Sequence, residues 1–158
     1  MRESVTSETD VGAMTMRNES QDDEVVARAR RRLRILIADD HQGTQRALQL
    51  VLRWLQCGSD VVENGREALE AVRSREYDVI LMDVVMPCMD GLEATRQIRQ
   101  ERGSAPRLRI VGMSADAAPD VRDIGLAAGM DDFLPKPIEL DSLIRNLDEA
   151  ALRLQSAS

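Results

Sequence analysis

The feature that most constrains this chain is an alternation of two kinds of apolar pattern. Three short, near-continuous apolar runs, "LRILIA" (33–38), "YDVILMD" (77–83) and "LRIVGMS" (108–114), alternate with stretches whose apolar residues recur at helical spacing. Continuous apolar runs of this length are expected of strands covered on both faces, the situation of a parallel sheet between helical layers. The helical stripes are Ala47, Leu48, Val51, Leu52 and Leu55, then Ala68, Leu69 and Val72, and last Leu140, Leu143, Ile144, Leu147, Ala151 and Leu154. "DVVE" (60–63) and "DDFLP" (131–135) read as two further strands, and Asn64-Gly65 as a turn. A helix runs through Ile98, and another has Pro119 in its first turn and Gly129 as its stop. Five strands, each followed by a helix, specify an α/β fold with a doubly wound parallel sheet.

Residues 1–31 are polar, acidic and poor in periodicity, which predicts a disordered or partly helical tail, with a short helix around "DDEVVARARRR". The folded domain is expected over 32–154 and a short tail over 155–158. At 158 residues the chain has room for one domain whose core needs no metal or disulfide staple. Trp54, Tyr77 and Phe133 are its only aromatics, so that core is aliphatic, with Trp54 expected inside it on the first helix after "LRILIA".

A net charge of −7 speaks against broad nucleic-acid binding, which needs a basic face. The basic run of Arg28, Arg30, Arg31, Arg32 and Arg34 reads as a solvated approach to the first strand. No apolar run is long enough for a membrane span, and the N-terminus lacks a signal-type apolar block, so a cytoplasmic protein is expected. Cys57 and Cys88 fit reduced thiols better than a structural disulfide.

Ligands of an open parallel sheet bind outside the carboxyl ends of its strands. At those ends stand Asp39 and Asp40, Asp83, Ser114 and Lys136, and of 21 basic residues Lys136 alone is a lysine. A lysine supplies a compact point charge where arginine supplies a planar fork, and phosphate suits the former. Each residue has an ordinary reading taken singly: an Asp-Asp pair or a serine as a helix cap, "MDG" as a turn. All of them at one rim point to a site. Clustered carboxylates repel unless a cation joins them, and oxygen donors suit Mg²⁺ with phosphate completing its shell. Asp83, alone at the end of the central strand, is the nucleophile candidate, with Asp39 and Asp40 as the metal-holding pair. Ser114 and Lys136 are placed to meet phosphoryl oxygens.

The stretches "ILIADDH", "NGREALEAV", "YDVILMDVVMPCMDGLEATRQIR", "IVGMSA" and "GMDDFLPKPI" resemble the receiver domain of two-component response regulators, over about three quarters of the chain. That resemblance implies a flavodoxin-like (βα)5 fold with strand order 2-1-3-4-5. It makes Asp83 the phosphoacceptor. It assigns Mg²⁺ to Asp39, Asp40, Asp83 and the backbone carbonyl of Val85. Ser114 becomes the switch hydroxyl, Lys136 the phosphate-pairing lysine, and Phe133 the aromatic that swings inward on activation. It also implies a cis Lys136–Pro137 bond. Serine replaces the commoner threonine at 114, and Val85 and Asp116 occupy places that influence water's access to the acyl phosphate. His41 reads as a loop residue beside the metal site and Cys88 as a residue of the loop after Asp83.

By the same resemblance the protein is a signalling switch, not an enzyme acting on other substrates. Its phosphoryl donor is a sensor histidine kinase or a histidine phosphotransfer protein. No second domain is expected in the chain. The "LPKPI" ending resembles receivers of hybrid kinases and favours a phosphorelay intermediate or a single-domain regulator. The alternative is an effector protein bound directly at the 117–154 face; neither nucleic acid nor membrane is expected as a partner. A phosphatase of the aspartate-nucleophile type would place a second acid at position 85, where this chain has valine.

Overall fold

The computed structural model describes residues 8–102, 108–116 and 118–156, with side chains from Ser20 onward. Residues 1–7 of the expected tail, 157–158 of the terminal one and Ala117 of the expected effector face lie outside the described residues. The elements in chain order are α1 (Glu8–Arg31), β1 (Ile35–Ala38), α2 (Gln42–Trp54), β2 (Ser59–Val62), α3 (Gly65–Ser74), β3 (Val79–Asp83), α4 (Gly91–Arg102), β4 (Arg109–Ser114), α5 (Pro119–Ala128), β5 (Asp132–Pro135) and α6 (Leu140–Ser156).

All neighbouring strands pair parallel, in the order β2-β1-β3-β4-β5. Alternate residues of the central strands face opposite layers, as the two-residue strand period requires. Ile35, Ile37, Val79, Leu81, Val111 and Met113 pack with Leu48, Leu52, Leu143 and Leu147 of α2 and α6. Leu36, Ala38, Ile80, Met82 and Ile110 pack with Ala68, Leu69, Ala94 and Ile98 of α3 and α4. This is the doubly wound sandwich expected from the alternation, and β1, β3 and β4 are buried along their whole length.

Three details differ from the sequence reading. The short helix expected near residue 22 extends from Glu8 to Arg31, and order precedes Leu33: Ala29 is buried in the α2/α6 layer, and Arg30 Nε donates to Asp148 Oδ1 at 2.8 Å. Asn64 is not a mere turn residue. It caps α3, its side-chain oxygen accepting from the Glu67 amide, while the Glu67 carboxylate accepts from the Glu63 amide. Trp54, expected in the core, is 72% exposed, and Ala47 is exposed too. Each lies one residue before a true stripe member, Leu55 or Leu48, and a single step turns a helix by about 100°.

Candidate functional site

The carboxyl ends of β1, β3, β4 and β5 bring the polar residues to one rim. Asp83 ends β3 on the loop side of its buried run, and is itself 4% exposed. Asp39 follows β1 and is fully buried, whereas Asp40 beside it faces solvent. Lys136, just past β5, reaches back across the rim: its Nζ donates to Asp39 Oδ2 at 2.7 Å and to Asp83 Oδ2 at 3.2 Å. The bond following it, Lys136–Pro137, is cis, as the resemblance implied.

Burial drives the Asp83 carboxyl above the ordinary carboxylate range, and the charge of Asp39 adds to it; Lys136 and the Val85 amide act in opposition without cancelling the rise. For Lys136 burial acts downward. The hydrogen bond Lys136 donates to Asp39 and the charges of Asp83 and Asp39 outweigh it, so the ammonium is held above its usual range. A lysine charged under all ordinary conditions thus faces an aspartate whose ionisation costs energy.

The loop between β3 and α4 is shaped by glycine. A Cβ on Gly91 would lie 2.0 Å from the carbonyl oxygen of Asp83, so only a residue without a side chain lets the start of α4 approach the end of β3 this closely. Gly91 N donates to Val84 O at 2.9 Å, and Asp90 Oδ1 accepts from the Glu93 amide at 2.8 Å to cap the helix. The "MDG" turn signal therefore fixes the loop in which Val85 stands, 72% exposed.

Ser114 ends β4, 4% exposed, and its Oγ accepts from the Asp116 amide at 3.0 Å. It shares the rim with the acids, and among the described residues its hydroxyl is engaged by the Asp116 amide rather than by them. Phe133 is already packed inward, 6% exposed, in the layer that holds Met130 and Ile110. Gly112 makes room for it: a Cβ there would come within 2.8 Å of the Phe133 ring.

Asp39, Asp40, Asp83 and His41 each offer one ligand atom, and these atoms all lie within 4.8 Å of one another. Hard carboxylate oxygens gathered this closely fit a divalent cation by their chemistry. One further group was not named from the sequence, and the direction of another was not read. Gln45 Nε2 donates to the Asp39 carbonyl at 2.5 Å and fixes the turn that presents the acids. His41 stands beside the metal site as expected, and its imidazole is turned toward both neighbouring carboxylates. No spacing rule signals either one.

Residues 35–148 match the family described as the response regulator receiver domain. The chain belongs to that family. It is 40% identical over 118 residues to the sensor protein EvgS of Escherichia coli, a match covering 75% of this chain and 10% of that protein. Among solved structures, the receiver domain of the sensor histidine kinase PA1611 of Pseudomonas aeruginosa, which has a magnesium ion coordinated in its active site cleft, is 34% identical with a TM-score of 0.68. That match covers 75% of this chain and 97% of the other. The complex of the Saccharomyces cerevisiae histidine phosphotransfer protein Ypd1 with the receiver domain of Ssk1 gives a TM-score of 0.72 at 26% identity, over 77% of this chain and 90% of the other. The receiver domain is thus a two-component signalling switch with an acidic pocket compatible with Mg²⁺. No described helix is long and apolar enough to cross a membrane.

Proposed function

We propose that this receiver accepts a phosphoryl group on Asp83 from a phosphohistidine donor and serves as a single-domain regulator or phosphorelay intermediate. The observation that carries the reading is Lys136 Nζ lying within hydrogen-bond reach of both Asp39 and Asp83. A buried carboxylate with a fixed ammonium beside it suits a group that gains charge there, since phosphorylation brings about −1.5 to −2.

A carboxylate oxygen of Asp83 attacks the phosphorus, the P–N bond to the donor imidazole breaks, and the imidazole leaves with the electron pair. Lys136 offsets the charge delivered to the rim. The Ser114 hydroxyl, which now accepts from Asp116, has its own proton free to donate to a phosphoryl oxygen. That contact would hold the β4 end and favour the inward Phe133, a population shift typically worth ~1–3 kcal/mol. Asp39, Asp40 and Asp83, with the Val85 carbonyl, would hold Mg²⁺, which when bound supplies Lewis-acid stabilisation of the transferring group.

Residues 32–154 constitute the proposed receiver unit, with α1 added to it, acting in the cytoplasm. The donor is a sensor histidine kinase or a histidine phosphotransfer protein. Gly43, Ala47, Leu50 and Trp54 form an exposed apolar row along α2, beginning at the rim that carries Asp83, and offer such a partner a surface. Incubation with acetyl phosphate and Mg²⁺ should add one phosphoryl group to the intact mass of the wild type and none to Asp83→Ala. Equal labelling of the two would defeat the assignment.

A second reading, direct binding of an effector at the 117–154 face, is supported by Ile124 and Leu126 standing exposed on α5. Rapid return of label to a phosphohistidine protein favours relay. A phosphorylation-dependent complex with a non-kinase target favours the effector.

A further inference from the structure

We propose that His41 is a metal ligand of this site, so that its cation is held by an imidazole as well as by carboxylates and the site favours transition-metal divalent ions over Mg²⁺. The inference rests on the proposed metal role of Asp39, Asp40 and Asp83 and adds a donor to it.

The placement of the ring carries the argument. His41 stands at the N-cap of α2, where a side-chain oxygen normally accepts from the first free amides, yet its side chain makes no cap hydrogen bond. The imidazole turns instead to the rim. Its Nδ1 lies 3.4 Å from Asp39 Oδ1 and 3.2 Å from Asp40 Oδ1. Both separations exceed the usual length of a charge-assisted hydrogen bond, about 2.7–2.9 Å. They are close to what one shared cation requires: two donors at right angles, each roughly 2.1 Å from the ion, stand about 3 Å apart. The His41 amide donates to Asp39 Oδ1 at 2.8 Å, which ties the backbone bearing the ring to the carboxylate it would share. With Asp83, the four donor atoms form one compact set open to solvent on the Asp40–His41 side.

The chemistry of the set then decides its preference. Mg²⁺ selects oxygen donors, whereas imidazole suits later first-row ions such as nickel, copper and zinc, and affinity climbs from manganese through cobalt and nickel to copper before dropping at zinc. One neutral nitrogen among three carboxylates should therefore raise affinity for these ions much more than for Mg²⁺.

His41 is the only histidine of the chain, so imidazole nitrogen bound to a metal in tag-free protein has one possible source. Pulsed electron paramagnetic resonance on the full chain loaded with Mn²⁺ should detect coupling to a directly bound ¹⁴N, and His41→Ala should still bind Mn²⁺ while losing that coupling. In titrations with Co²⁺ and Mg²⁺, the ratio of the two affinities should fall about tenfold in His41→Ala, because losing the imidazole weakens Co²⁺ far more than Mg²⁺. Mn²⁺ that binds, is weakened by Asp40→Asn, and shows no nitrogen coupling would overturn the role of His41 and leave the carboxylate site standing. Coupling that persists in His41→Ala would overturn it equally. Failure of any of these ions to bind would remove both the histidine and the metal reading beneath it.

Discussion

The Lys136 ammonium lies 3.2 Å from the Asp83 carboxylate, joined across the rim from strands that are not neighbours in the sheet, and it is also the partner of the fully buried Asp39. One cation thus neutralises two acids that would otherwise face each other out of water. Lys136→Ala should lower stability by about 2–4 kcal/mol at neutral pH in chelator, somewhat less than the usual cost of orphaning a fully buried charge because the lysine keeps some contact with solvent. Millimolar divalent cation should recover part of that loss. Urea titration with and without the ion measures it.

Asp83 itself is predicted to work against stability at neutral pH. Its carboxyl is raised in the fold by burial and by Asp39, so the stability linked to its proton is complete below the unfolded value of about 3.9 and is lost as pH rises through the folded value. Asp83→Asn, which removes the charge and keeps a hydrogen-bond acceptor for Lys136, should therefore raise the urea midpoint in chelator at pH 7. The gain should shrink toward pH 4. A lower midpoint at pH 7 would contradict this account of the site.

Gly91→Ala should disturb the site from the backbone. The added Cβ would meet the Asp83 carbonyl at 2.0 Å, and neither the end of β3 nor the start of α4 is a flexible side chain that can yield. A loss of about 1–3 kcal/mol is expected from such overpacking. Acetyl phosphate labelling of the folded fraction should slow as well, because the carboxylate shares the displaced residue.

The exposed face of α2 gives a contrast within one helix. Trp54→Ala should change stability by under ~0.5 kcal/mol, the usual scale for exposed positions, although tryptophan is the largest side chain in the chain. Leu52→Ala, two residues earlier and fully buried, should cost about 2–5 kcal/mol. Paired thermal melts of the two variants test the assignment of faces directly.

That contrast also marks what was legible in the sequence. The strands could be read because double burial leaves nothing but apolar residues in "ILIA" and in "VILM" before Asp83, and the rim could be read because strand ends place Asp39, Asp83, Ser114 and Lys136 together whatever the loops do. Trp54 could not, since bulk and hydrophobicity do not encode angle on a helix, and the stripe from Leu48 to Leu55 is continuous with it in sequence. The packing of α1 was hidden for a similar reason: Ala29 joins the core and Arg30 pairs with Asp148 of α6, and neither makes a periodic apolar pattern. The turn of the His41 ring depends on rotamers that no spacing reports.

Most hidden of all was a polar network at the opposite end of β4. Arg109, 5% exposed within a strand that otherwise reads as apolar, donates through Nε and Nη2 to Asn146 Oδ1 at 3.0 and 2.8 Å, and pairs with Glu149 at 2.7 Å. Asn146, fully buried on α6, donates to Asp132 Oδ2 at 2.9 Å, and Asp132 pairs across the sheet edge with Arg122 of α5 at 3.3 Å. The chain of contacts straps α5 to α6 around β5, next to Phe133. Burial pushes the Asp132 carboxyl up, but the Asn146 amide, the Phe133 amide and the two arginines together bring it below its ordinary value. A depressed carboxyl contributes stability that is present above the unfolded value, about 3.9, and disappears as pH falls through the folded one. Asn146→Ala should therefore cost about 1–3 kcal/mol at pH 7, from the buried guanidinium left half-partnered and from the weakened hold on Asp132. The deficit should shrink as the pH is lowered toward about 3 and the charge on Asp132 that the strap holds is titrated away. Equal deficits at both pH values would assign the loss to packing alone and take Asp132 out of the strap.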